Sequence, residues 1–303
     1  MESSSFKVLG VPVDCTGRPG LCDRAPTVLR RLGVMQALGL AGDFCDLPVR
    51  IDDPRRDSAS GVKGAAAVVD ANLVVARAVE SVLREGKRPI LLGGCCSYLM
   101  GAIGGARSVM GRIGLTYVDG HLDLYDGLTS PEGECADMPL AFLTGHGPAI
   151  LHPVMGGSTP MMCEDIALIG HRDSQIAESR GSILPGDLGA GLLDRDAAAV
   201  RRIGGTEIAA EILAHHRAGA RRFWLHLDWD VLDEAELPSA DYLMPNGLGW
   251  DELVDVLAPL VRSPMLIGLS TACYNPDNDP DLADGRKIVT ALSRVFDTQE
   301  RPR

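Results

Sequence analysis

The sequence predicts an α/β protein built on a doubly wound parallel sheet, and three observations support this prediction. Short apolar runs of strand length alternate along the chain with segments whose apolar residues recur at helical spacing. Hydrophobic residues make up 46% of the 303 residues but aromatic residues only 4%, so the core must consist mainly of Ala, Val, Leu and Ile, as is typical of this class. No internal repeat or Ser/Pro-rich linker divides the chain, which indicates one domain over residues 1–303.

The predicted elements follow in order from the N-terminus. Residues 6–11 form an apolar run of strand length, and Pro26 then opens a helix, since proline is favoured in a first helical turn. Apolar residues recur at helical spacing over residues 62–83, and Gly86 ends that helix. The remaining predicted strands are 88–92, 114–118, 166–169, 223–227 and 265–269, and the last predicted helix ends near Phe296.

Charge and cysteine content exclude several classes of protein. The formal charge of −12 argues against nucleic acid and anionic membranes as partners. Residues 1–7 lack the basic-then-apolar pattern of a signal peptide, and Asp70 and Glu80 interrupt the longest apolar stretch before it reaches the ~18 residues of a membrane span. The eight cysteines are scattered and give no disulfide framework in so long a chain. These observations predict a reduced, cytoplasmic protein whose partner is a small-molecule substrate.

Three short motifs directly follow predicted strands. They are Gly93-Gly94-Cys95-Cys96-Ser97, Asp119-Gly-His121-Leu-Asp123 and Asp228-Trp-Asp230. Ligands of a doubly wound sheet bind at the carboxyl ends of its strands, so the three motifs are expected to form one site. Residues two apart on an extended backbone point to one face, so Asp119, His121 and Asp123 share one direction. By the same rule His226 shares the face of the second acidic motif.

The residue types in these motifs suit a pair of divalent cations. Oxygen and imidazole ligands favour Mn²⁺ and its neighbours, and a metal pair generates hydroxide at neutral pH. Buried carboxylates clustered in this way would repel one another unless cations were present. The alternative is a set of aspartates that cap turns, since Asp is common after strands. A second acidic motif after a second apolar strand, continued by Asp233, favours the two-metal site.

The acidic motifs resemble the two metal motifs of the arginase/agmatinase family of ureohydrolases. The resemblance continues in the same order along almost the whole chain, through Gly10-Val-Pro, Ala25-Pro-Thr-Val-Leu-Arg30, Gly93-Gly94-x-x-Ser97, Gly170-His-Arg-Asp173, Asn246-Gly-Leu and Asn275-Pro276. It implies a single three-layer α/β/α domain with a mainly parallel sheet, and two Mn²⁺ ions whose bridging hydroxide attacks a guanidine-type carbon. The metal ligands that it implies are Cys96, Asp119, His121, Asp123, Asp228 and Asp230, with Asp119 and Asp228 bridging both ions.

The chain departs from the family pattern at three positions, of which two concern the metals and proton transfer. Cys96 stands where the family has a metal-binding histidine, and a thiolate binds divalent metals but adds a negative charge. The alternative is that Cys96 is only a small buried hydrophobe and that the site holds one ion. Ala136 stands where the family has a proton-shuttling histidine, so proton transfer must fall to metal-bound water, to Asp123 or to a substitute. His226 is a candidate for this catalytic role, although a histidine that only positions a metal ligand is an equally open interpretation.

The third departure is Cys273, which stands where arginases carry the glutamate that pairs with the guanidinium group. Without that carboxylate, a guanidinium buried beside two metal ions would stay unpaired at a cost of several kcal/mol. The sequence therefore predicts a neutral or less basic head group, which an N-hydroxyguanidine offers because its oxygen withdraws electrons. Glu132 and Glu178 are further candidates for substrate binding, and Glu178 would pair with an ammonium group.

The three departures together resemble those family members that hydrolyse Nω-hydroxy-L-arginine to L-ornithine and hydroxyurea for the biosynthesis of the antibiotic D-cycloserine. The expected function is therefore this amidinohydrolase reaction. Two alternatives stay open: a ureohydrolase that acts on agmatine, a guanidino acid or a formimino compound, and a non-catalytic relative that binds metal. The chain stops soon after its last predicted helix, without the extended tail that many arginases use for trimer contacts, which favours a monomer over a trimer.

Overall fold

A computed structural model describes residues 6–18, 20–155, 159–219 and 221–297. The predicted domain spans residues 1–303, and its two ends, residues 1–5 and 298–303, lie outside the described residues. Within the described ranges the chain forms one eight-stranded sheet in which every strand pair is parallel. In chain order the strands are β1 (Phe6–Val11), β2 (Cys45–Asp46), β3 (Arg88–Gly93), β4 (Gly114–Val118), β5 (Ile166–Ile169), β6 (Leu193–Arg195), β7 (Phe223–Asp228) and β8 (Leu266–Ala272).

Helices cover both faces of this sheet. Among the described residues, no helix is long and apolar enough to cross a membrane. The α-helices are α1 (Ala25–Arg31), α2 (Val34–Ala37), α3 (Ala65–Arg84), α4 (Leu99–Met110), α5 (Pro139–Leu143), α6 (Ser174–Ser179), α7 (Ala197–Ile203), α8 (Gly205–Ala218), α9 (Trp250–Arg262) and α10 (Ala283–Phe296).

Alternation along the strands divides the hydrophobic core into two layers. Successive residues of a strand face opposite sides, so Leu91 of β3 packs into one core while Ile90 and Leu92 pack into the other. The first core joins the sheet to α3, α4 and α5, and the second joins it to α1, α8, α9 and α10. The predicted three-layer α/β/α architecture with a parallel sheet is confirmed.

The longer elements lie where the sequence predicts them. Strands β1, β4 and β5 have the predicted bounds, the helix expected over 62–83 is α3, and α10 ends at Phe296. Strands β2 and β6 have no counterpart in the sequence prediction. They contain two and three residues at the two edges of the sheet, where a strand pairs on one side only and needs no apolar run.

The strand order β2-β1-β3-β8-β7-β4-β5-β6 places the three motifs close together. Val118 pairs with Leu227, so the acidic motifs after β4 and β7 start side by side at the carboxyl edge of the sheet. The turn after β3 enters the same edge through Gly94, where an added Cβ would lie 1.9 Å from the carbonyl oxygen of Val13. Glycine is therefore required at this turn, and the turn carries Cys96 to the carboxyl ends of β7 and β4.

Candidate metal centre

The motif after β4 presents three predicted ligand side chains in one region, of which Asp119 and Asp123 are buried. The backbone N–H of His121 donates to Asp119 Oδ1 at 2.7 Å, which fixes the carboxylate, and His121 Nδ1 lies 3.7 Å from the same oxygen. Asp123 has a left-handed backbone with φ of 49°, uncommon for a residue other than glycine and typical of functional sites. The buried Tyr117 hydroxyl donates a hydrogen bond to Asp123 Oδ2 and so orients this carboxylate.

The motif after β7 packs directly against the first motif. Asp228 Oδ1 accepts the backbone N–H of Asp230 at 2.8 Å, and Asp230 Oδ1 accepts the backbone N–H of Gly120 at 3.1 Å. Asp230 Oδ2 lies 3.1 Å from His121 Nδ1. An added Cβ on Gly120 would lie 2.6 Å from the carbonyl oxygen of Asp230, so the missing side chain lets the two motifs approach. The two acidic motifs thus form one continuous cluster of ligands.

Cys96 completes the cluster from the glycine motif. Its side chain is 1% exposed, and its Sγ lies 2.6 Å from Asp228 Oδ2 and 3.9 Å from Asp119 Oδ2. The neighbouring Cys95 points elsewhere, since its Sγ accepts the backbone N–H of Cys15 at 3.2 Å and lies 3.0 Å from Ser97 Oγ. Of the two adjacent cysteines, Cys96 alone faces the aspartates, as the resemblance implied.

His226 lies behind Cys96 rather than on the open side of the cluster. Its Nε2 is 3.1 Å from Cys96 Sγ and its Nδ1 is 2.8 Å from Ser270 Oγ, which accepts a hydrogen bond from Trp224 Nε1 at 2.9 Å. Besides accepting from Trp224, the Ser270 hydroxyl can either donate to Nδ1 or accept from it, and Nε2 faces the sulfur of Cys96. Burial lowers the pKa of His226 to about 3, so the imidazole is neutral at physiological pH.

The electrostatics of the cluster fit a pair of cations. Burial, together with the charge of Asp230, raises the pKa of Asp119 to about 6, and burial also raises the pKa values of Asp123 and Asp228 well above the usual range. Carboxylates in such a place are stable as anions only beside positive charge. Within this cluster, ligand atoms converge to within 4.8 Å of one another in three sets, namely Cys96 with Asp119 and His226, Cys96 with Asp228 and Cys273, and Asp119 with His121 and Asp230. This mixed carboxylate, imidazole and thiolate donor set suits first-row divalent ions.

A cavity of about 380 Å³ opens above these ligands. Its base is formed by five predicted metal ligands together with Cys273, and Glu132 lies at its mouth with a side chain that is 73% exposed. Cys96 and His226 do not line it. Glu178 is exposed on α6 and also lies outside the cavity lining. The five ligands in the cavity base are Asp119, His121, Asp123, Asp228 and Asp230.

Three further lining residues were not identified from the sequence. Asp137, Arg180 and Tyr242 come from loops and helix ends, where no apolar periodicity marks a residue as functional. The Tyr242 hydroxyl donates to Glu134, whose other oxygen lies 2.7 Å from Lys63 Nζ. The sequence feature that could have pointed to Asp137 is its position directly after Ala136, where the chain departs from the family pattern.

The family model of the arginase family matches residues 4–295 of the chain. The chain belongs to the arginase family. It is 27% identical over 298 residues to an arginase of Brevibacillus brevis, with 97% of this chain and 98% of that arginase covered. It is also 27% identical over 296 residues to an arginase of Bacillus caldovelox, with 96% and 97% covered. The native structure of arginase from Bacillus caldovelox superposes with a TM-score of 0.82 at 26% identity, over 98% of this chain and 99% of that chain.

Membership of the arginase family defines the class of reaction and the type of centre. Enzymes of this family are amidinohydrolases that act on C–N bonds, and this chain is an enzyme of that class. The family depends on a binuclear metal centre, and the converging ligand atoms described above are suited to one. A formimidoylglutamase of Bacillus subtilis shares the fold at 17% identity with a TM-score of 0.72, which shows the architecture alone.

Proposed function

We propose that this arginase-family enzyme hydrolyses Nω-hydroxy-L-arginine to L-ornithine and hydroxyurea, and that the hydroxyurea serves the biosynthesis of D-cycloserine. The observation that carries the proposal is Cys273. It lines the cavity, and its Sγ lies 3.9 Å from Cys96 Sγ, within the ligand cluster. It brings no carboxylate to the position at which the family resemblance implies a partner for the guanidinium group.

The carboxylates next to Cys273 are already engaged and do not replace that partner. Asp228 Oδ1 accepts the backbone N–H of Asp230, and the remaining capacity of this carboxylate belongs to the metals in this proposal. A guanidinium buried beside two dications would then lack a counterion, which costs several kcal/mol, and every ~1.4 kcal/mol corresponds to a factor of ten in affinity. An N-hydroxyguanidine is less basic and enters as a neutral group, so it avoids this cost.

Six residues would hold the metals in this proposal. We assign this role to the six predicted ligands, which would together hold two Mn²⁺ ions: Cys96, Asp119, His121, Asp123, Asp228 and Asp230. Two ions held there would act as Lewis acids and lower the pKa of water, which makes hydroxide available at neutral pH.

Residues behind the ligands hold them in position. The Tyr117 hydroxyl orients Asp123, and the chain from Ser270 to His226 orients the sulfur of Cys96. Because His226 is neutral and does not line the cavity, we assign it this positioning role and not the transfer of protons.

The cavity presents one acidic and one basic side chain to the amino-acid end of the substrate. Glu132 at the mouth can accept hydrogen bonds from an α-ammonium group, while Arg180 lines the same cavity and can donate to an α-carboxylate. The sequence predicts Glu178 as the partner of the ammonium group, but Glu178 lies outside the cavity lining, so we assign that role to Glu132. These charges favour an amino-acid substrate over agmatine, which carries no carboxylate.

The proposal is tested by loading the protein with Mn²⁺, measuring its metal content, and following ornithine release from Nω-hydroxy-L-arginine and L-arginine in parallel. We expect ornithine and hydroxyurea from the hydroxylated substrate, at a kcat/KM at least tenfold above that for L-arginine. Comparable rates on both substrates would contradict the argument from Cys273. Turnover of agmatine, a guanidino acid or a formimino compound alone would assign one of the alternative activities, and no turnover with two ions bound would indicate the non-catalytic relative.

The oligomeric state stays a prediction in this proposal. A monomer is expected, and size-exclusion chromatography with light scattering on the Mn²⁺-loaded protein measures it. A trimer mass at micromolar concentration would contradict the expectation.

A further inference from the structure

Asp137 is fixed beside the ligand-bearing segment that follows β4. Its carbonyl oxygen accepts the backbone N–H of Tyr125 at 3.2 Å, two residues after the ligand Asp123. The carbonyl oxygen of Asp123 in turn accepts the backbone N–H groups of Leu140 and Ala141 at 3.1 and 3.0 Å. These bonds lock the loop of Asp137 to the metal cluster, and its side chain lines the cavity together with that of Ala136.

The two carboxylate oxygens of Asp137 have different surroundings. Oδ2 accepts the Ser130 hydroxyl at 2.7 Å, and Ser130 Oγ is itself held by the backbone N–H of Gly133 at 2.9 Å. Oδ1 is buried without a hydrogen-bond partner, and within the described ranges it is the one carboxylate oxygen in that state. An ionised oxygen buried without a hydrogen-bond partner is unfavourable, so the arrangement favours a proton or a substrate group at Oδ1.

The other acidic residues of the cavity wall are engaged or exposed. Asp173 accepts the backbone N–H of Leu122 at 3.0 Å, Glu134 is paired with Lys63 at 2.7 Å, and Glu132 reaches solvent. The remaining carboxylates of the lining are metal ligands. Among the residues that the structure describes, Asp137 is therefore the carboxyl group of the cavity lining that has a buried oxygen without a hydrogen-bond partner.

We propose that Asp137 is the proton donor to the leaving nitrogen, a role that Ala136 cannot fill. This inference rests on the proposed hydrolysis. Water adds its oxygen to the guanidino carbon, and the bond from that carbon to the ornithine nitrogen breaks. The nitrogen takes a proton from Asp137 and leaves as an amine. Asp137 regains one proton of the attacking water, and the second water proton ends on the nitrogens of hydroxyurea, so atoms and charge balance.

The surroundings of Asp137 suit this role at neutral pH. Burial raises the pKa of Asp137 to about 7, the hydrogen bond from Ser130 lowers it, and the charge of Glu134 raises it. Arg56 is a nearby cationic group that lowers the pKa of Asp137, and His121 has the same effect when it is protonated and binds no metal. A general acid is most effective when its pKa lies near the working pH.

The test compares Asp137→Asn and Ser130→Ala with the unaltered Mn²⁺-loaded enzyme. Asp137→Asn keeps the shape but carries no transferable proton, so we expect kcat to fall about 10²–10⁴-fold with KM within a few-fold and both metal ions retained. The decline of activity above pH ~7, where Asp137 loses its proton, should vanish in this variant. Ser130→Ala removes the bond that lowers the pKa of Asp137, so the decline should move to higher pH, which a purely structural role would not produce.

Asp126→Asn is the matched control from the same loop. Its side chain accepts backbone N–H groups of Leu128 and Thr129, does not line the cavity, and an amide oxygen can take over both bonds, so kcat should change less than threefold. Infrared titration of the metal-loaded protein without substrate gives a readout independent of turnover. It should show a carboxyl C=O band that disappears near pH 7 and is absent in Asp137→Asn.

The outcomes separate this inference from the substrate assignment. If the enzyme hydrolyses a different guanidine, the same variants are compared on that substrate, and a shifted pH profile still supports Asp137 as the donor. An unchanged kcat in Asp137→Asn, an unmoved profile in Ser130→Ala, or no infrared band near pH 7 would each overturn it.

Discussion

Replacing Cys96 tests the ligand assignment most directly, because the chain provides its own control in the adjacent residue. Cys96→Ala removes a sulfur that lies 2.6 Å from Asp228 Oδ2 and 3.1 Å from His226 Nε2. Cys95→Ala removes a sulfur of equal size and nearly equal burial. This sulfur forms hydrogen bonds with Ser97 Oγ and with the backbone N–H of Cys15. Both variants therefore lose one buried heavy atom, but only Cys96→Ala loses a predicted metal ligand.

The size of the expected effect follows from this comparison. Loss of one buried heavy atom costs about 1 kcal/mol of unfolding free energy in either variant, as in other one-atom core truncations. Removal of a residue that only orients a metal ligand lowers the affinity for the metal about 10–100-fold. Removal of the ligand itself should therefore lower the metal affinity by at least ~100-fold. We expect Cys96→Ala to bind one Mn²⁺ at least ~100-fold more weakly, or about 2.7 kcal/mol, while Cys95→Ala binds both ions normally.

Calorimetric titration of the metal-free proteins with Mn²⁺ measures the two affinities and the stoichiometry. Loading with Co²⁺ adds a second readout, since a thiolate ligand gives a charge-transfer band in the near ultraviolet that should disappear in Cys96→Ala and persist in Cys95→Ala. Two normal Mn²⁺ sites in Cys96→Ala would refute the thiolate assignment and restore the interpretation of Cys96 as a small hydrophobe. An equal loss in Cys95→Ala would show that packing, not ligation, governs the site.

Three further predictions concern the ligand support, the substrate and the stability of the fold. Tyr117→Phe removes the hydroxyl that orients Asp123 and should weaken Mn²⁺ binding about 10–100-fold in the same titration, whereas Tyr98→Phe should not. Cys273→Glu introduces a carboxylate at the cavity base. The kcat/KM for L-arginine, divided by the kcat/KM for Nω-hydroxy-L-arginine, should then rise about 10- to 100-fold, since a hydrogen bond to a charged group contributes about 1.5–3 kcal/mol. An unchanged ratio would count against the proposed specificity. Burial lowers the pKa of His216 to about 3. Below pH 6.5, the pKa of this histidine in the unfolded chain, the unfolded chain binds more protons than the folded one, so the free energy of unfolding decreases as the pH is lowered. His216→Gln should recover about 2 kcal/mol of the unfolding free energy that the protein loses between pH 7 and pH 5 in urea titrations, and equal losses in both proteins would contradict this origin.

The sequence was informative where one physical requirement acts on several neighbouring residues. An apolar strand followed by acidic residues at spacing two indicates both a buried strand and the residue at which it ends. Strands β4 and β7 could therefore be predicted together with the acidic side chains that follow them. Strands β2 and β6 could not be predicted, because an edge strand of two or three residues is defined by pairing and not by its own composition. Asp137 was missed for the same reason, since its environment is created by Ser130 and by the loop locked to Asp123.

The departures at Cys96 and Cys273 are best understood as one exchange of charge. In the proposed centre, a thiolate at position 96 would add one negative charge to the metal shell, where the family resemblance implies a neutral histidine. Cys273 removes one negative charge from the cavity base where a glutamate is implied, and the two sulfurs lie 3.9 Å apart. The total charge around the metals is therefore conserved, while its location moves away from the substrate head group and onto a metal ion. A thiolate would also weaken the Lewis acidity of that ion, and the proposed N-hydroxyguanidine substrate, when neutral, needs no carboxylate partner at the cavity base. We expect a variant carrying Cys96→His alone or Cys273→Glu alone to be less active on either substrate than one carrying both, because each single change unbalances the charge that the pair conserves.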